Sequence, residues 1–303
     1  MFADDTTLSQ ANENVPKLIN TFKRGLRSLN IWCENNRLDI NWNKTFAMFI
    51  TNKHVILPSA IEFNGKKIEV VKSFKLLGVT IDNKLNFSKY VGELRKNVNK
   101  RLFSIRRLFY LATPVKIQFF KSFILPYFDY CSTLLLYFSK QMIQKIANAY
   151  NYCLFKLIGF RAKVNYSTDF NIVNNNLSKY KLLNFQHRLL NKLLIFSHKI
   201  INLKIGPVNL KNSLQTNLNM NKSYCLKNQT EFVVPKESKM NNFGKLTFRY
   251  FFSKFINKTC VDDIRIDEKF FKLRMSNNLN IIFNVFILNF DKFNLTYKNF
   301  FYS

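Results

Sequence analysis

Asn64-Gly65 is the feature that most constrains the fold of this chain. Apolar residues alternate on both sides of it, in Ile61-Glu62-Phe63 and in Ile68-Glu69-Val70. A period of two marks strands with one buried face. Asn-Gly tolerates the two positive φ angles of a tight type I′ turn, so an antiparallel hairpin is predicted here. "FAMFI" (46–50) reads as a short buried strand, and "FKLLGVTI" (74–81) as one further strand.

The remaining periodicity is helical. Leu18, Phe22, Leu26, Leu29 and Cys33 recur at steps of three or four. After Phe87, the residues Leu94, Val98, Leu102, Ile105, Leu108 and Leu111 form one apolar stripe, with Arg95, Lys96, Lys100, Arg101, Arg106 and Arg107 beside and opposite it. Pro114 suits the start of a helix that runs on through "ILPYFDYCSTLLLYF", with a kink or break expected at Pro126. Further helices are predicted over about 140–158, with Gly159 just past the end, and over about 182–201, 244–257 and 267–288. The polar stretch 202–239 reads as loop or linker. Only seven Gly and six Pro in 303 residues favour long regular elements over a loop-rich β fold. The fold class is α+β.

Charge narrows the partner. Lys and Arg number 47 against 18 Asp and Glu, a formal net charge of +29. Solubility asks for a magnitude of only ~2–8 in a small domain. The excess implies a polyanion, nucleic acid before an anionic membrane. Five cysteines (33, 131, 153, 225, 260) and three histidines (54, 187, 198) are scattered. That pattern argues against a zinc site or a disulfide framework and for a reducing, intracellular setting. Phe123–Phe138 is broken by Pro126 and Asp129, so no membrane span is expected, nor is a secretory signal at Met1.

A series of motifs gives the charge a context. "FADDTTL" is followed by an amphipathic helix, then "WCENNRLDINWNKT", "FKLLGVTID", "SIRRL" and "FILPYFDYCS". In this order they resemble the reverse transcriptase of non-LTR (LINE-type, jockey-like) retrotransposons, read from mid-palm to past the thumb. The resemblance is strong over 2–139 and looser beyond.

The resemblance implies an RNA-directed DNA polymerase, a nucleotidyltransferase acting on a template–primer duplex of RNA and DNA. Phe2-Ala3-Asp4-Asp5 matches the family's Tyr-Ala-Asp-Asp box, with Asp4 as a Mg²⁺ ligand and Asp5 assisting. Two Mg²⁺ ions ~3.5–4 Å apart clamp the attacking and leaving oxygens in such chemistry. Lys44, in Asn43-Lys44-Thr45, would stabilise the triphosphate or leaving pyrophosphate; as a bare turn lysine it would only be solvated. Lys75, Leu76, Leu77 and Gly78 match the primer grip. Lys89, Arg95, Lys96, Lys100, Arg101, Arg106 and Arg107 fall on thumb helices, where they would meet duplex phosphates. The implied domains are a residual palm (1–86), a helical thumb (87–160) and a helical C-terminal region (161–303) with a polar linker near 202–239.

One further expectation concerns the start of the chain. The family's fingers and its first palm aspartate do not precede Met1, so the chain reads as a C-terminal piece, inactive alone. An upstream polymerase fragment acting in trans is then an implied partner. A non-catalytic, thumb-derived nucleic-acid-binding protein is the alternative. The resemblance places the chain in the nucleus or in a cytoplasmic ribonucleoprotein.

Overall fold

Helix α1 (Val15–Asn35) begins where Asn14 turns its side-chain oxygen onto the backbone N–H of Lys17, at 3.1 Å. Pro16 sits in the first turn, where its missing N–H costs nothing. At the other end Asn36 donates from Nδ2 to the Trp32 carbonyl at 2.7 Å, and Arg37 turns the chain with a φ of 54°. The computed structural model describes residues 5–106, 110–158, 177–202, 212–214, 216, 231–235, 247–260 and 262–290. They fall into two compact units, Met1–Tyr90 and Val91–Ser303.

In the first unit α1 covers a small sheet. Strand β1 (Phe46–Ala47) runs parallel to β3 (Lys66–Val70), and β2 (Ala60–Phe63) pairs antiparallel with β3 on its other side. Asn64 and Gly65 carry φ angles of 46° and 71°, and Phe63 faces Lys66, as the Asn-Gly turn requires. The alternation then sends Ile61, Phe63 and Ile68 inward against Leu26 and Ala47. Trp42 packs on Phe63 with ring centroids 5.9 Å apart. Each buried aliphatic or aromatic side chain contributes ~1.5–3 kcal/mol, so this cluster holds the helix to the sheet.

The segment read as one strand over 74–81 is instead a hairpin. Strands β4 (Ser73–Leu76) and β5 (Val79–Asp82) pair antiparallel, from Ser73 opposite Asp82 to Leu76 opposite Val79. Leu77 and Gly78 make the two-residue turn, with φ angles of 46° and 84°. An unbroken apolar run hides this turn, because Leu stands where Asn or Asp usually supplies the left-handed residue.

The second unit is helical. The unit boundary falls within α2 (Ser88–Arg106), whose Val91, Leu94, Val98 and Leu102 are buried. Helix α3 (Thr113–Phe119) has Pro114 in its first turn. The break expected at Pro126 is a widening upstream of it. Residues Phe120–Ile124 form a π turn, with the Leu125 N–H bonded to the Phe120 carbonyl, before α4 (Leu125–Asp129). A proline cannot donate to the preceding turn and its ring crowds that carbonyl, so a wide turn relieves both problems. Cys131, at φ 50°, then redirects the chain into a 3₁₀ turn, Ser132–Tyr137.

Helices α5 (Lys140–Ile158) and α6 (Phe185–Asn202) follow, then α7 (Phe248–Thr259), α8 (Glu268–Asn277) and α9 (Leu279–Asn289). Gly159 and Leu108 lie outside the described residues. Tyr150 is fully buried in α5, ringed by Phe120, Phe128 and Phe185 at 5.8, 5.2 and 5.8 Å. Its hydroxyl donates to the Leu183 carbonyl at 2.6 Å, so burial leaves no orphaned oxygen. Within the stretch read as linker, Thr216 pairs with Phe232, and Asn257 of α7 clasps the Phe232 backbone. Its Oδ1 accepts from the Phe232 N–H and its Nδ2 donates to the carbonyl, both at 2.8 Å. Among the described residues no helix is long and apolar enough to cross a membrane.

Candidate functional site

Helix α2 separates apolar from basic residues by register. Val91, Leu94, Val98 and Leu102 recur at steps of three and four and are buried. Gly92, Arg95, Lys96, Asn99, Lys100 and Phe103 follow the same steps on another face, and they line one shallow depression. All six are exposed. Burial of the opposite stripe fixes how the basic face is presented, so the cations are arrayed on a rigid rod. Three of the expected phosphate-binding residues, Arg95, Lys96 and Lys100, are brought together this way. Arg101 is exposed as well, but it lies seven residues after buried Leu94, on the far flank of the stripe. Arg107 and the side chain of Arg106 lie outside the described residues.

Phe103 belongs to this face although the sequence reading passed over it. Its ring is 60% exposed. With 33 phenylalanines in the chain, nothing in the sequence marks this one. Only the helical register, Phe103 four residues past Asn99 and seven past Lys96, could have found it.

In the first unit the structure brings two expected segments together. Lys44 ends a 3₁₀ turn, Trp42–Lys44, whose Asn41 side chain accepts the Lys44 N–H at 3.2 Å. The next strand puts Phe46 against Phe74 of β4, with ring centroids 5.9 Å apart. The Lys44 segment thus neighbours the hairpin that carries Lys75, Leu76, Leu77 and Gly78. Lys44 and Lys75 are both exposed, and Leu77 and Gly78 form the exposed tip. Lys89 donates from Nζ to Ser73 Oγ at 3.2 Å, which ties it to the hairpin.

Asp82 also escaped the sequence reading. Its Oδ1 accepts the N–H groups of Lys84 and Asn86, each at 3.0 Å, and its Oδ2 accepts that of Phe87 at 2.7 Å. One carboxylate thereby organises the whole loop between β5 and α2, in which Leu85 and Phe87 take φ angles of 53° and 56°. Lys84 adds a bond from Nζ to the Thr51 carbonyl at 2.7 Å. Asp82 is committed to backbone donors, a structural use of its charge.

Of the acidic doublet, Asp5 is exposed and Asp4 lies outside the described residues. Among the described residues no group of three or more His, Cys, Asp or Glu comes together to hold a metal ion. Mg²⁺ takes an octahedron of oxygens, and Asp5 is the one member of the doublet that the structure describes. The Mg²⁺ site that the resemblance implies is led by Asp4, outside the described residues. Cys33, Cys131, Cys153 and Cys260 are free thiols. Burial pushes Cys153 and Cys260 up to about 12, so neither is poised as a nucleophile.

No family model matches the chain, and no solved structure matches it. Over 132 residues, 41% of its length, the chain is 24% identical to the RNA-directed DNA polymerase from the mobile element jockey of Drosophila melanogaster. The matched stretch is 14% of that relative's length. This distant similarity supports a relationship to reverse transcriptases of mobile elements.

Proposed function

We propose that this chain supplies the primer-side portion of a retrotransposon reverse transcriptase and binds template–primer, RNA paired with DNA, through the exposed face of α2. The observation that carries the reading is the alignment of Arg95, Lys96 and Lys100 on one exposed helical face backed by a buried stripe. Cations arrayed on a rigid surface meet successive phosphates without reading bases, which suits a polymerase that must slide. The distant similarity to a mobile-element polymerase supports the assignment. In this reading residues 1–86 are the end of the palm and 87–160 the thumb. Lys75 to Gly78 steady the primer end, and Lys44 faces the nucleotide phosphates.

Chemistry sets a condition on activity. The doublet Asp4-Asp5 needs a further carboxylate before two metal ions are fixed. Extension of a primer is therefore conditional on that carboxylate, whereas duplex binding through α2 is not.

Binding is tested by fluorescence anisotropy with a labelled RNA–DNA hybrid across a range of salt. The affinity should fall steeply as salt rises, because each phosphate neutralised releases counterions. Failure to bind, or binding indifferent to salt, overturns the proposal. Extension is tested on poly(A)/oligo(dT) with Mg²⁺; incorporation that survives Asp4→Ala would refute a catalytic role for the doublet.

A further inference from the structure

We infer that the α2 depression also takes an unpaired nucleotide, with Phe103 as the stacking platform for its base. The inference rests on the proposed nucleic-acid binding and goes beyond it, since backbone contact alone has no use for an aromatic ring. Phe103 is 60% exposed in the same depression as Arg95, Lys96 and Lys100. A ring held in water among cations gains nothing from phosphates, which offer no apolar surface. Within a duplex the base faces are occupied by neighbouring bases, so only an unpaired base presents a free π-face.

The combination of a basic groove with an exposed aromatic side chain is the arrangement that binds single strands without sequence preference. The helical register supplies the rest of the site. Lys96 and Lys100, seven and three residues before Phe103, can hold phosphates while the base lies on the ring. Asn99, one turn before Phe103, offers an amide donor and acceptor to a base edge. Gly92 leaves the far end of the depression open, since a Cβ there would meet nothing within 4 Å. Charge complementarity commits the occupant to a polyanion, and the ring commits it to one with unpaired bases: a template overhang or other single strand.

The test compares the full chain with Phe103→Leu, which keeps apolar bulk at an exposed position and removes the π-face. Affinities are measured by anisotropy for a single-stranded oligonucleotide and for a blunt duplex of equal length, at matched salt. A stacking contact predicts that F103L weakens single-strand binding by about 5- to 150-fold and duplex binding by less than about twofold. Phe103→Trp should retain single-strand affinity, and the fluorescence of the added indole should be quenched on binding. If wild type and variant bind both probes equally well, with the normal salt dependence, the stacking site is refuted and the backbone contact stands. If neither probe binds the wild type, the proposed function falls, and this inference with it.

Discussion

Arg188 holds both carboxylate oxygens of Asp129 at once: Nε donates to Oδ1 at 2.6 Å and Nη2 to Oδ2 at 2.5 Å. Lys192, one turn further along α6, reaches Oδ2 at 3.1 Å. The fork ties α6 to the end of α4, just past the wide turn that accommodates Pro126. It fixes direction as well as distance, because a bidentate pair has one geometry.

Replacing Asp129 by Asn should therefore leave two cations facing each other over a half-satisfied amide. All three side chains are partly exposed, so the cost falls below that of a fully buried pair, at ~1–3 kcal/mol. Urea unfolding measures it. Arg188→Lys should cost less, since it keeps the charge and loses only the fork. A midpoint unchanged in D129N would show that the pair contributes nothing.

His187 sets an acid limit on the helical unit. It lies in the first turn of α6, edge-on to Phe283 with ring centroids 4.5 Å apart, and burial lowers its pKa from 6.5 to about 4. Below pH 6.5 the unfolded chain takes up a proton at this residue that the folded chain refuses. Stability should drop as the pH falls from about 6.5 towards 4, by up to ~1.4 kcal/mol per pH unit, and level off below. His187→Leu should flatten this dependence. Unfolding midpoints at pH 7 and pH 5 in the two proteins decide it, and equal losses in both would assign the acid sensitivity elsewhere.

The Leu77-Gly78 turn predicts opposite responses at neighbouring positions. Leu77 is held at φ 46°, where a β-carbon costs ~1–2 kcal/mol. Leu77→Asn should stabilise the first unit by up to ~1 kcal/mol, and Gly78→Ala, at φ 84°, should destabilise it by a similar amount. Thermal unfolding checks both signs. If L77N destabilises, the exposed Leu77 side chain is making contacts that outweigh its backbone strain.

Sequence patterning carried much of this fold and less of its site. Asn64-Gly65 and the stripe from Leu94 to Leu102 were legible because a turn dipeptide and a helical period are local signals. The β4–β5 turn was not, since Leu77 breaks the usual turn chemistry and only cross-strand pairing reveals it. The bonds from Asp82 and from Asn257 are equally silent in sequence: each side chain serves backbone groups whose positions depend on the folded loop. At the site, Arg95, Lys96 and Lys100 were visible as charge. What charge and composition alone could not separate was Arg101, on the other flank, from these three, or Phe103 from the many other phenylalanines; that takes the helical register together with the buried stripe.

A chain of charge +29 attracts polyanions over much of its surface, so the central claim is about place. The most direct measurement is the salt dependence of template–primer binding by the triple variant Arg95→Gln, Lys96→Gln, Lys100→Gln. Three lost phosphate contacts should make the slope of log K against log salt shallower by about 2.7, at ~0.9 per contact. A slope equal to that of the unmodified chain would mean that the α2 face does not hold the backbone, and would contradict the account.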